Sequence, residues 1–471
     1  MSGIAEYFTA GTPTADQEHF FRAFQGFIAL TDGPSVFILR GYAGTGKTTL
    51  MSAVLPWLHN LGFSSELLAP TGRAAKVLQQ YAGRRASTIH RRIYSPVPMT
   101  GGGIVFRRIP NRSFRTVFVV DEASMISGTE RPDDAAFGGT HLLRDLLDFA
   151  LEGKGCLLLM VGDVAQLPPV GERVSPALSA RRLKDFYNTA AIMVELTTVT
   201  RQALDSGILI NATRLRNLLL NGHFQPVLSL HMDVKCLQGS DLEEALFDAF
   251  REGREQAVVI SPTNRRANDF NRQIRFSVYG REGELDAGDR LMVVRNNYHW
   301  LPTDHPAGFI ANGDIAEVLR VIDHEDSCGF RFARAEIQLV DYPEVPSFEA
   351  MVLLDVLHSY GPSLSAEEAR KLRSELLVQS GIKASARQAA EMLRDNPYIN
   401  ALQVKYAYAV TGHKAQGGQW PEVFVDAGYL TDERMDLQYM RWLYTAVTRA
   451  KERLYLVGFP DKFFEDNADA P

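Results

Sequence analysis

The run Gly41-Tyr42-Ala43-Gly44-Thr45-Gly46-Lys47-Thr48 constrains this 471-residue chain more than any other feature. It fits the pattern G-x-x-x-x-G-K-[ST], follows an apolar strand-like segment (Ser35–Leu39) and precedes a helical run (Thr48–Leu61). In that setting the glycines let successive backbone N–H groups turn inward at a helix N-terminus, where they cradle phosphate. Lys47 is then expected to reach the terminal phosphates of ATP, and the Thr48 hydroxyl to bind Mg²⁺. Gly41, Ala43, Gly44, Thr45, Gly46, Lys47, Thr48 and Thr49 form the expected nucleotide contacts. A glycine-rich turn without a ligand is the bland alternative, and the strand-before, helix-after context disfavours it.

A phosphate loop of this kind works with acids on a neighbouring strand end. Val117-Phe118-Val119-Val120-Asp121-Glu122 reads as a buried strand delivering two carboxylates. Asp121 is assigned to the metal and Glu122 to the general base that orients the attacking water. Alone, Asp-Glu after a strand is as often a capped turn; downstream of the phosphate loop it gains meaning. A third strand, Cys156–Val161, leads into Gly162-Asp163-Val164-Ala165-Gln166-Leu167-Pro168-Pro169. A polar pair before stiff prolines suits a sensor of the γ-phosphate, with Gln166 as the sensing side chain. An ordinary proline turn is the competing reading.

Strand and helix patterns alternate as in parallel α/β sheets. Further strand candidates are Glu66–Ala69, Thr116–Val120, Ala257–Ile260, Glu422–Asp426 and Arg453–Val457. Two segments break the rhythm. Residues 91–113, with a Gly101-Gly102-Gly103 turn, read as a β-hairpin. Residues 284–402 read first as a small β-barrel (Asp289–Arg295, Gly313–Val321, Phe330–Asp341) and then, over Ser365–Asp395, as surface helices. The expected units are residues 1–190, residues 191–283 with 403–471, and the insertion 284–402.

The net charge of −6 does not announce a nucleic-acid binder, but its distribution is uneven. Thr71 to Val120 holds ten basic residues and no acid, so the other 421 residues carry a net −16. That field can attract a phosphate backbone, or it can merely solubilise the surface. Three dispersed cysteines argue against a disulfide framework or a zinc site. No basic leader precedes an apolar stretch, and no apolar run is long enough to span a bilayer. A cytoplasmic, nucleoid-associated protein without membrane contact is expected.

The motifs together resemble the RecD/Dda-like helicases of superfamily 1. The carrying residues are Gln17, the phosphate loop, Ala69-Pro70-Thr71-Gly72-Arg73, Ser87-Thr88-Ile89-His90, Asp121-Glu122-Ala123-Ser124, Gly162–Pro169 and Thr200-Arg201-Gln202. They continue with Ser261-Pro262-Thr263-Asn264, Thr411-Gly412-His413-Lys414-Ala415-Gln416-Gly417 and Tyr444-Thr445-Ala446-Val447-Thr448-Arg449-Ala450. The resemblance implies two RecA-like α/β motor domains, a hairpin insertion in the first and an SH3-like barrel with a helical segment in the second. It implies that Gln17 reads adenine and that Arg201 and Arg449 are arginine fingers. It implies 5′ to 3′ movement on single-stranded DNA and unwinding of tailed duplexes. Thr71, His90, Thr263, Asn264, Thr411 and His413 are the candidate DNA contacts, although a single threonine is more often a cap. Phe106 is placed like the aromatic of a strand-separating pin, and a ring packing the hairpin down is the equal alternative. Single-strand-binding or repair and recombination proteins are the implied protein partners. One chain carries both halves of the site and so need not oligomerise. An RNA or ribonucleoprotein remodelling motor, and a non-hydrolysing nucleic-acid clamp, remain as rival readings.

Overall fold

In the computed structural model the described residues are 3–30, 33–98, 104–129, 141–200, 206–251, 253, 256–301, 309–343, 345–379 and 392–464. The N-terminal sheet is built from β1 (Val36–Gly41), β2 (Ser64–Ala69) and β3 (Ala86–Thr88), then, beyond a hairpin of β4 (Tyr94–Pro98) and β5 (Ile104–Arg108), from β6 (Thr116–Val120), β7 (Leu157–Gly162) and β8 (Ala191–Leu196). Its order is β3-β2-β6-β7-β1-β8, and every pairing is parallel. A parallel sheet is covered on both faces, so its strands must be apolar throughout. Phe37 and Leu39 accordingly pack among Phe20, Phe24, Phe27 and Trp57. Val36 and Ile38, on the opposite face, pack among Leu143, Leu146 and Phe149.

A second parallel sheet follows, in the order β16-β10-β17-β18-β9, from β9 (Val234–Leu237), β10 (Ala257–Ser261), β16 (Ala409–Thr411), β17 (Trp420–Asp426) and β18 (Ala450–Val457). Between β10 and β16 the chain forms a closed barrel of β11 (Arg290–Val293), β12 (Ile315–Ser327), β13 (Phe330–Leu339), β14 (Phe348–Leu353) and β15 (Leu402–Tyr406). The α/β class, the two parallel sheets, the hairpin and the barrel all agree with the sequence reading. The seven strand candidates form, with ends displaced by at most three residues.

Two expected limits move. β8 joins the first sheet beside β1, so residue 190 falls short of that sheet's last strand. β15 closes the barrel by pairing antiparallel with β11 and parallel with β14, so a limit at 402/403 cuts through a barrel strand. The parallel closure explains why β15 escaped notice: its partner β14 lies across a helical crossover. The Ala366–Gln379 helix in that crossover rests Leu372 and Leu376 on Phe330, Phe332 and Leu353. Residues 380–391, which hold part of the expected helical stretch, and the Gly101–Gly103 turn lie outside the described residues.

A buried ionic cluster fastens the barrel to the second sheet. Arg275, on the Asn264–Ser277 helix, donates to both oxygens of Asp289 at 2.9 and 2.8 Å, and Asp289 is fully buried. Arg281 and the Tyr408 hydroxyl also reach Asp289. Removing one partner of such a group strands a charge away from water. Asp289→Ala should cost about 3–5 kcal/mol of stability. Chemical denaturation checks this, and an unchanged midpoint would show that the cluster does not hold the two units together.

Candidate nucleotide and nucleic-acid site

β1 ends in the phosphate loop, and the loop's shape needs its glycines. Gly44 and Gly46 take φ of 74° and 82°, the left-handed region that side chains rarely adopt. At Gly46 a Cβ would also lie 2.7 Å from Gln17 Nε2. Lys47 Nζ donates to the carbonyls of Gly41 and Tyr42 at 2.7 and 2.9 Å, which keeps the ammonium over the loop. Thr45 Oγ1 donates to the Tyr42 carbonyl at 2.8 Å. Ala43 is half-buried in the loop; Thr48 is exposed and Thr49 half-buried on the first turn of the Lys47–Asn60 helix. Gln17 is buried, accepts from Thr14 N–H at 3.0 Å and donates to the Thr45 carbonyl at 3.1 Å. These bonds make Gln17 a brace between the first helix and the loop, and they leave one amide hydrogen for a base.

β6 places the two acids opposite this loop. Glu122 has a φ of 50°, a strained conformation for a non-glycine residue and a frequent mark of a working site. Burial pushes its carboxyl pKa up, the Arg449 guanidinium pulls it back, and Asp121 raises it again. Asp121 Oδ1 accepts from the Glu122 N–H at 2.8 Å, and Oδ2 accepts from the Tyr81 hydroxyl.

Arg449 comes from the other sheet, yet its Nη1 stands 3.7 Å from Glu122 Oε1. The arginine is only 4% exposed and is aimed by the carbonyls of Thr445 and Gly418 at 3.1 and 3.3 Å. Lys47 from the first half of the chain and Arg449 from the second both lower the Glu122 pKa that burial and Asp121 raise, so the four charged groups act on one another. Arg201 lies outside the described residues. Its neighbour Thr200 donates its N–H to the Gly44 carbonyl at 2.9 Å, so that segment runs against the phosphate loop.

The halves are also tied through the turn after β7, by residues that the sequence reading placed in motifs but gave no role of their own. The buried Tyr444 hydroxyl accepts from the Ala43 N–H at 2.9 Å and donates to Asp163 at 2.7 Å. Thr445 Oγ1 accepts from the Leu167 N–H, and Gln416 Nε2 donates to the Leu167 carbonyl. Gln166 is buried, and its Oε1 has no hydrogen-bond partner among the described residues. It lines a cavity of about 210 Å³ with Arg40, Asp163, Ser175 and Arg441.

The candidate DNA residues sit at matching places in the two sheets. Thr71 and His90 follow β2 and the edge strand β3, where Ala69 pairs with Thr88. Thr263 and Asn264 follow β10, while Thr411 ends the edge strand β16, where it pairs with Ser261, and His413 follows it. Thr71 and Thr263 each cap a helix, accepting from Ala74 N–H at 3.2 Å and Arg266 N–H at 3.3 Å. Capping uses the hydroxyl oxygen and leaves its hydrogen to donate to a phosphate. Burial lowers the pKa of His413, while the Pro168 backbone raises it.

Two expectations are corrected here. Phe106 is 6% exposed, and its ring lies 4.2 Å from Tyr298 and 6.0 Å from Phe309. An aromatic ring buried among aromatics fastens the hairpin to the barrel, and it does not stand out as a wedge for a duplex. Four of the ten basic residues of the stretch 71–120 are paired with acids within the molecule. Lys76 pairs with Asp341, Arg91 with Asp314, Arg92 with Glu66 and Arg108 with Glu152.

Tyr444→Phe removes one hydroxyl that serves two polar groups. A loss of roughly 1–3 kcal/mol is expected, read by chemical denaturation. An unchanged stability would mean that this bridge contributes nothing to joining the halves.

Comparisons with known proteins agree with this layout. A family model described as an AAA domain matches residues 15–224, and one described as a UvrD-like helicase C-terminal domain matches residues 406–457. The ATP-dependent RecD2 DNA helicase of Deinococcus radiodurans is 26% identical over 439 residues, covering 90% of this chain and 47% of that protein. The chain thus spans less than half the length of that relative. The ATP-dependent DNA helicase dda of Enterobacteria phage T4 is 32% identical over 185 residues, 38% of this chain and 37% of that protein. A crystal structure of Bacteroides Pif1 bound to ssDNA aligns over 97% of this chain and 94% of that one, at 16% identity and a TM-score of 0.46. With one model in each half of the chain and both of these relatives named as ATP-dependent DNA helicases, the chain is similar to the RecD/Dda-like helicases of superfamily 1.

Proposed function

We propose that this chain is an ATP-dependent DNA helicase that moves 5′ to 3′ on single-stranded DNA and unwinds duplexes. The observation that carries the reading is the approach of Arg449 to Glu122 from the opposite half of the chain, at 3.7 Å. A guanidinium supplied across a cleft stabilises the charge that grows on a transferring phosphoryl group, and it does so only when the cleft is closed. Hydrolysis is thereby coupled to closure, and closure to movement.

Each residue has a part in that cycle. The loop Gly41–Thr48 and Lys47 hold the phosphates of ATP. Thr48 and Asp121 supply the hydroxyl and carboxylate oxygens that a hard cation such as Mg²⁺ prefers. A carboxylate has about four lone-pair positions, so Asp121 keeps acceptor capacity beside its two hydrogen bonds. When bound, the ion neutralises phosphate charge. Glu122 accepts the proton of the attacking water, and its raised pKa makes it a stronger base than a free glutamate. Arg449, with Arg201 as a second finger, stabilises the transition state. The turn Asp163–Pro168, held by Tyr444, Thr445 and Gln416, links the nucleotide to the second sheet. Gln166 senses the γ-phosphate there.

Single-stranded DNA lies across Thr71, His90, Thr263, Asn264, Thr411 and His413. Hydroxyls and amides grip phosphate without the full charge that would stall stepping. Movement from the loops of one sheet to those of the other follows from opening and closing of the cleft.

Arg449→Ala should lower DNA-stimulated phosphate release by roughly a thousandfold while leaving nucleotide binding largely intact. A rate within a few-fold of wild type would remove the arginine finger. Strand displacement with 5′-tailed and 3′-tailed duplexes tests the direction, with unwinding expected from the 5′ tail alone. Stronger stimulation by matched RNA would favour a remodelling motor, and no stimulated hydrolysis in the wild type would favour a clamp.

A further inference from the structure

Tyr81 belongs to none of the motifs above, yet its hydroxyl donates to Asp121 Oδ2. It is half-buried near the end of the Gly72–Ala82 helix. Side chains on a helix lean toward its N-terminus, so a tyrosine in the last turn can reach back to the carboxyl end of β6. The other oxygen of Asp121 is taken by the Glu122 N–H at 2.8 Å. One hydrogen bond on each oxygen fixes the plane of the carboxylate and so fixes where its remaining lone pairs point.

The opposite end of the same helix touches both other parts of the molecule. A Cβ at Gly72 would lie 2.2 Å from Asp314 Oδ1, at the start of the barrel's β12. A Cβ at Gly417, in the loop after β16, would lie 2.7 Å from the Cβ of Ala74. The Arg73 guanidinium lies 3.8 Å over the Trp420 ring of β17. Lys76 Nζ is 2.9 Å from Asp341 of the barrel. A single helix thus touches the second sheet and the barrel with its first turns, and Asp121 with its last. Helices move as rigid pieces and carry displacement along their length.

We propose that Tyr81 is a positioning residue for Asp121, and that the Gly72–Ala82 helix makes the orientation of this carboxylate depend on where the second sheet and the barrel sit. The inference rests on the assignment of Asp121 to the magnesium of an ATPase. It adds a route by which DNA between the sheets tightens the metal site. Thr71, a candidate DNA contact, caps the helix at the end away from Tyr81.

Tyr81→Phe keeps the ring and removes the hydroxyl. Its effect is read by the electron paramagnetic resonance signal of Mn²⁺ titrated with a non-hydrolysable ATP analogue, with and without single-stranded DNA. Circular dichroism confirms that the variant is folded. The expected result is Mn²⁺ binding weakened by roughly tenfold, nucleotide binding without metal unchanged, and a loss of kcat recovered at saturating Mg²⁺. DNA should tighten Mn²⁺ binding in the wild type and not in the variant. Unchanged Mn²⁺ affinity, or a kcat loss that excess Mg²⁺ does not recover, would overturn the positioning role. Equal tightening by DNA in both proteins would overturn the helix's part in it. Because the Mn²⁺ signal needs no turnover, a wild type without DNA-stimulated hydrolysis would defeat the motor reading and still leave the Tyr81 result readable.

Discussion

The approach of Arg449 to Glu122 is the contact on which the rest depends. It joins a half-buried carboxylate just past the end of β6 to a buried guanidinium just ahead of β18. Burial disfavours the charged form of Glu122, and the Arg449 guanidinium opposes that effect without cancelling it. A pair of this kind contributes little to stability once desolvation is counted. On the proposed function its consequence is conditional chemistry, because the arginine reaches the nucleotide only while the two sheets face one another.

The neighbouring hydrogen bonds serve the same end. Tyr444 ties the phosphate loop to Asp163, and Thr445 and Gln416 grip the turn that carries Gln166. All three come from the same motifs as Arg449 or from the loop after β16. The phosphate loop, the Asp163–Pro168 turn and the Leu437–Val447 helix that precedes Arg449 are therefore connected through a few buried polar contacts. The barrel is fixed to the second sheet by the Arg275–Asp289 cluster, and its other side rests on the hairpin through Phe106, Tyr298 and Phe309.

Much of this was legible in the sequence. A phosphate loop announces itself because its glycines must adopt positive φ and its lysine must follow the last of them. Apolar strands ending in Asp-Glu or Gly-Asp mark the sheet edge for the same reason, and Arg449 was identified through its motif. What escaped was set by tertiary contact. Tyr81 lies nine residues into an ordinary helix, and nothing local reveals that its hydroxyl meets Asp121. β15, Leu402-Gln403-Val404-Lys405-Tyr406, is a short alternating run whose barrel partners, β11 and β14, are far away in the chain. Phe106 had two readings from sequence, and burial against Tyr298 decided for packing. The basic stretch looked free because its acids, Glu66, Glu152, Asp314 and Asp341, lie outside it.

The central claim is that catalysis belongs to a pocket shared by both halves of the chain. A crystal structure with ADP–aluminium fluoride and a single-stranded oligonucleotide would test it most directly. The account predicts the Arg449 guanidinium within about 3 Å of the fluoride group, with Glu122 holding the water on the opposite side. Arg449 turned away from Lys47 and Glu122 in that complex would contradict it.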